Sequence, residues 1–148
     1  MRGGRSAIAV VAVVLFGLVD VGSALGCSCA PSTPAESLAA SDAAIAARLI
    51  SVHPEGLVRA VYRYEVLHVY RGRRKVAPGS TLRVTSPRGA AACALPDGIC
   101  QRYGLFLLGE GRRWIGGLCG VLSPRRLWIA ARGPGADRPS AAPSNCAG

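Results

Sequence analysis

Hydrophobic and polar positions divide the chain into three parts. Residues 7–18 are an uninterrupted apolar run, residues 43–118 hold short alternating stretches, and residues 132–148 are a Gly/Ala/Pro/Ser-rich tail without periodicity. The clearest stretch is 57–70, where Val58, Ala60, Tyr62, Tyr64 and Val66 share one side against Arg59, Arg63 and Glu65 on the other. This period of two predicts a strand. Beyond Val66 the apolar parity moves to Leu67 and Val69, which predicts a bulge or strong coil that bends a long strand around a barrel corner. Residues 43–52 are alanine-rich enough for a helix, yet the run is short and Pro54 follows, so it reads as a strand. Residues 81–85 alternate into a third strand, ended by Ser86-Pro87-Arg88-Gly89. Residues 103–108 and 113–118 read as a hairpin, its second arm weakened by Gly116-Gly117. A short helical turn fits 36–40, and 122–131 is compatible with helix or extended chain. Five strands within residues 27–131 predict a mainly all-β fold, a small five-stranded OB-type barrel with a short helix or turn, stapled by disulfides. A β-sandwich is the alternative, since barrel closure leaves no mark in periodicity.

The apolar run at 7–18 changes the picture of where the chain works. Arg2 and Arg5 precede it and the small residues Gly22-Ser23-Ala24-Leu25-Gly26 follow, the layout of an export signal. The run is too short for a membrane span of about 20 residues, and Asp20 interrupts its continuation. Cleavage after Gly26 removes 1–26 and makes Cys27 the first residue; cleavage after Ala24 competes. A third reading takes Ala24-Leu25-Gly26-Cys27 as a lipoprotein box, with Ala where Leu is usual, which would acylate Cys27 and anchor the protein at the cell surface. On the first reading the protein is secreted, with one domain over 27–131 and a flexible tail over 132–148.

The whole chain carries a net charge of +10, and loss of Arg2, Arg5 and Asp20 with the leader leaves +9. Such a charge steers the protein toward anionic partners, such as a wall or matrix polymer. Nucleic acid is not expected for an exported chain, and a monomer without a cofactor is. The dense run Arg71-Gly72-Arg73-Arg74-Lys75 reads as a solvated loop between strands. All six cysteines, 27, 29, 93, 100, 119 and 146, follow the leader. An even count in a small exported domain reads as up to three disulfides, whose connectivity spacing alone leaves open. Thiolate zinc spacing is lacking, and His53 and His68 are isolated, the first read as a loop residue and the second as a strand residue at a barrel end. Neither a Gly-x-Ser-x-Gly elbow nor His-Glu-x-x-His occurs, so the chain does not read as an enzyme. Trp114, Trp128, Tyr62, Tyr64 and Tyr70 read as core or cross-strand residues, with a ligand-stacking platform as the lesser alternative.

Several motifs together resemble a known family. Cys27-Ser28-Cys29-Ala30-Pro31, then residues 41–49, a Tyr-rich strand ending Val69-Tyr70-Arg71-Gly72, Ala92-Cys93, a strand at 103–107 and Leu118-Cys119 are similar, in this order, to the N-terminal domain of the tissue inhibitors of metalloproteinases, within the netrin-like modules. The resemblance spans residues 27–119, and its opening motif is the most specific part. It implies an OB barrel whose N-terminal segment is pinned by Cys27–Cys93 and Cys29–Cys119 bridges, each stabilising by about 3 to 5 kcal/mol. It further implies a secreted inhibitor in which the Cys27 amine and carbonyl ligate the zinc of an extracellular metalloprotease. Ser28 would enter the specificity pocket, with Cys29, Ala30 and the ridge Ala92-Cys93-Ala94 alongside. The chain departs from the family at Ala39, where the animal inhibitors carry a further cysteine, and in lacking their C-terminal domain, which suggests a reduced and bacterial relative. Cys100 and Cys146 have no counterpart there; they can pair with each other, or Cys93 with Cys100. The non-inhibitory alternative is an extracellular binding module for a protein or an anionic polymer.

Overall fold

The computed structural model describes residues 27–110 and 112–133. Residues 1–26, the expected leader, and the residues from 134 onward, with Cys146, lie outside the described residues. The elements in order are α1 (Pro34–Ala40), β1 (Ala43–Glu55), β2 (Arg59–Arg71), β3 (Thr81–Pro87), a 3-10 turn (Ala90–Ala92), β4 (Arg102–Glu110), β5 (Arg113–Ile115), a second 3-10 turn (Leu118–Gly120), β6 (Val121–Leu122) and α2 (Pro124–Arg132).

Pairing closes the sheet on itself. Around the barrel the order is β1-β2-β3-β5-β4, with β1 pairing β4 to close the ring and β6 added on β4. β3 and β5 run parallel, whereas the other pairs are antiparallel. This is the expected five-stranded barrel with OB-type connectivity. The β1–β2 register slips where Ala46 faces His68 while Ala47 faces Val66, so Leu67 is the extra residue. That bulge sits where the apolar parity changes, and it swings the buried set from Val66 to Val69.

β1 is a strand despite its alanines because both of its sides are covered, and residues 43–49 are all buried. Ala43, Ile45, Ala47 and Leu49 point into the barrel with Tyr64, Val84, Leu105, Leu107 and Trp114. On the outside, Ala44 packs with Phe106 and Leu127, and Leu38 and Leu122 border them. Small residues on this outer wall let α2 approach: a Cβ on Gly104 would stand 2.9 Å from Leu127 Cβ. Asp42 ties the start of β1 to the β4–β5 turn, its Oδ2 accepting from the Gly109 N–H at 2.8 Å. That bond holds the Asp42 carboxyl below its usual range, with Lys75 adding a weaker pull in the same direction.

Several boundaries differ from the sequence reading. β3 continues through Pro87, because Ser86 is buried and its hydroxyl accepts from the Leu95 N–H at 3.1 Å. The arm expected over 113–118 stops at Ile115, where Gly116 turns against Val84 and Leu118 enters a 3-10 turn. Residues 122–131 resolve into β6 and α2, the helix capped by Ser123. Leu57 and Val58 lie in the β1–β2 turn, exposed, and His53 belongs to β1 rather than to a loop. Trp114, Trp128, Tyr62 and Tyr64 are all buried, so they are core residues and offer no stacking platform; the Tyr62 hydroxyl donates to the Leu95 carbonyl at 2.9 Å.

Candidate functional site

The N-terminal segment 27–33 has no regular structure of its own and is held at both ends. Thr33 caps α1 in a reciprocal box. Its hydroxyl accepts from the Glu36 N–H at 3.2 Å, and its own N–H donates to Glu36 Oε2 at 2.7 Å. The cap keeps the Glu36 carboxyl below its ordinary range. At the other end Cys27 is bonded to Cys93 and Cys29 to Cys119, with Cα atoms 5.0 and 5.4 Å apart. These are the two bridges that the resemblance implies. On the chain-entropy estimate, closing separations of 66 and 90 residues contributes about 4 kcal/mol each, less than additively because the loops overlap.

The partners of those cysteines sit on two turns that clamp each other. Cys93 follows the first 3-10 turn in left-handed conformation, φ 60°. Its N–H donates to the Ala90 carbonyl at 3.2 Å, and its own carbonyl accepts from the Leu118 N–H at 2.8 Å. Gly117 leaves the necessary room, since a Cβ there would stand 3.1 Å from the Cys93 oxygen. The sulfurs of Cys27, Cys93 and Cys119 all lie within 4.8 Å of one another, so the two bridges stand side by side. All of these sulfurs are in disulfides, and metal ligation requires thiolates; the cluster is a staple.

The result is an edge with a rigid backbone and small side chains. Ser28, Cys29, Ala30 and Ala92 are exposed, while Cys27, Cys93 and Ala94 are half-buried. The bridge holds the segment from Cys27 next to the ridge from Ala92 to Ala94. Leu118, 42% exposed beside Cys119, extends the edge with an apolar side chain that sequence reasoning missed, because it read as the end of a strand. Cys100 is disulfide-bonded as well; with Cys93 taken by Cys27, a local Cys93–Cys100 loop is ruled out, and pairing to Cys146 lies outside the described residues. His68 takes no part in this chemistry: its ring lies tilted against Tyr70, centroids 4.5 Å apart, and burial pushes its imidazole below the usual range. Disulfides of this kind mark a protein that matures in an oxidising environment. Among the described residues no helix is long and apolar enough to cross a membrane. In comparisons with known proteins, no protein-family model and no curated protein matches the chain.

Proposed function

We propose that the cysteine edge is a protease-blocking wedge, whose Cys27 amine and carbonyl ligate the catalytic zinc of an extracellular metalloprotease. The observation that carries this reading is the covalent pinning of Cys27 and Cys29 against the two clamped turns, with Ser28 and Ala30 left exposed beside them. A free α-amine has a pKa of about 8 and is partly neutral near pH 7. With its own carbonyl it closes a five-membered chelate. Catalytic zinc keeps one position open for the water that attacks substrate, and the chelate would displace that water. Rigidity matters because an N-terminus already held in place loses little entropy on binding.

The mechanism requires removal of the leader after Gly26 and an unmodified amine. Intact mass and N-terminal sequencing of the secreted protein test both, and an acylated Cys27 would mean a surface-anchored protein without the chelate. One alanine placed before Cys27 is expected to abolish inhibition of a zinc protease panel while the thermal midpoint stays unchanged. Ser28→Gly is expected to change selectivity among proteases. Equal inhibition by the extended form would overturn the chelate.

A further inference from the structure

Away from the cysteines, an open groove of about 720 Å3 crosses the outside of the barrel over β2, β3 and β5. A second depression of about 370 Å3 shares Glu55, Val61 and Arg83 with it and extends it to His53 and Arg63. Together they are lined by five arginines, 59, 63, 83, 112 and 113, against one described carboxylate, Glu55. Arg63 lies directly opposite Arg83 in the β2–β3 ladder. Arg113 precedes Trp114, the β5 residue beside Val84, so it continues the row on the next strand. Two strand spacings put this row at about 10 Å.

Like charges placed directly across a ladder are destabilising, and the fold neutralises cations elsewhere. Arg48 pairs with Glu65 at 2.8 Å, and Lys75 lies 3.7 Å from Asp42. None of the five groove arginines makes an ion pair or side-chain hydrogen bond among the described residues. We infer that the groove is a binding site for a linear anionic polysaccharide, read by its sulfate and carboxylate groups. Guanidinium forks match such groups bidentately, and the exposed Thr81 and half-buried Thr85 on the same face supply hydroxyls to sugar. Nucleic acid fits less well, since base binding uses platforms of exposed aromatics, whereas Trp114 is only 1% exposed and His53, at one end of the groove, is the single exposed aromatic ring among its described lining residues. This site is independent of the cysteine edge.

The test uses the full disulfide-bonded protein and heparin as probe. R63Q/R83Q should weaken binding at about 0.1 M salt by about tenfold or more and flatten the salt dependence. R125Q/R126Q, which removes the same charge from exposed positions on α2, should change affinity far less. Because the first variant relieves an opposed like-charge pair, its thermal midpoint should not fall. A readout without mutation is available: heparin oligosaccharide should shield Arg59, Arg63 and Arg83 of the native protein from dicarbonyl modification, read by peptide mass. Equal losses in the two variants, or unshielded groove arginines, would overturn the site. So would a single-stranded oligonucleotide that displaces heparin at equal charge and shields the same arginines.

Discussion

The cysteine edge and the arginine groove are built on one barrel by opposite means. The edge is covalently fixed, nearly uncharged and made of backbone and small side chains; the groove is an open strand face whose cations are held at fixed spacing by ladder register alone. The edge derives its shape from stabilising bonds, whereas the groove tolerates a destabilising one. A protein keeps such a like-charge pair readily only where the rest of the fold compensates, and here the bridges and the doubly covered β1 do so. Geometry at the edge should therefore survive changes in salt and fail on reduction, and the groove should behave in the reverse way.

The largest break in this contrast comes from the sulfurs. Cys29→Ser with Cys119→Ser, which leaves Cys27–Cys93 in place, should lower unfolding free energy by about 3 kcal/mol, read as a drop in the urea midpoint, whereas R63Q/R83Q should leave that midpoint level or raised. Coincident midpoints with and without reductant would mean that the barrel needs no staple. Next in size is Gly104→Ala. Its new Cβ meets Leu127 Cβ and, at 3.2 Å, the Ser123 carbonyl, so α2 must shift, at about 1 to 3 kcal/mol; heparin retention should be unaffected because α2 covers a different wall. Arg83→Thr alone should stabilise by about 0.2 to 1 kcal/mol at low salt, a gain that fades as salt screens the pair.

The smallest effect is that of acid. Asp42 and Glu36 titrate below their usual 3.8 and 4.5 in the folded chain, so the unfolded chain takes up protons first. Their contribution is complete above those ordinary values and is lost as pH falls through the lower folded ones. Asp42→Asn should flatten the acid limb of a stability profile below about pH 4 without altering the alkaline side.

The parts legible in sequence were those with local cause. Alternation marked β2, and the slip after Val66 located the bulge at Leu67, because a one-residue insertion must move every later side chain to the other face. The all-buried start of β1 was harder: alternation vanishes when both sides are covered, and only length and Pro54 favoured a strand. Barrel closure through β1–β4 and the parallel β3–β5 contact are non-local and leave no periodic trace. The same holds for the cysteine pairing, which spacing left open and family-like order alone suggested. The arginine row was invisible for a related reason. Arg63 appeared as one polar-face residue among several, while the dense run 71–75 drew attention; only the β2–β3 register sets Arg63 against Arg83, and in the fold Lys75 of that run lies near Asp42 and Arg73 donates to the Val69 carbonyl.

The overlap of the two bridges also has a temporal side. A chain made from its N-terminus presents Cys27 and Cys29 first, one residue apart, long before Cys93 and finally Cys119 exist. β1 likewise waits for β4, since Ala43 pairs with Leu107. Cys27 has no correct partner until Cys93 is made and Cys29 none until Cys119 follows, and an early oxidation of one by the other must later be undone by thiol exchange. The order of the chain thus asks two closely spaced thiols to stay uncommitted until their distant partners exist.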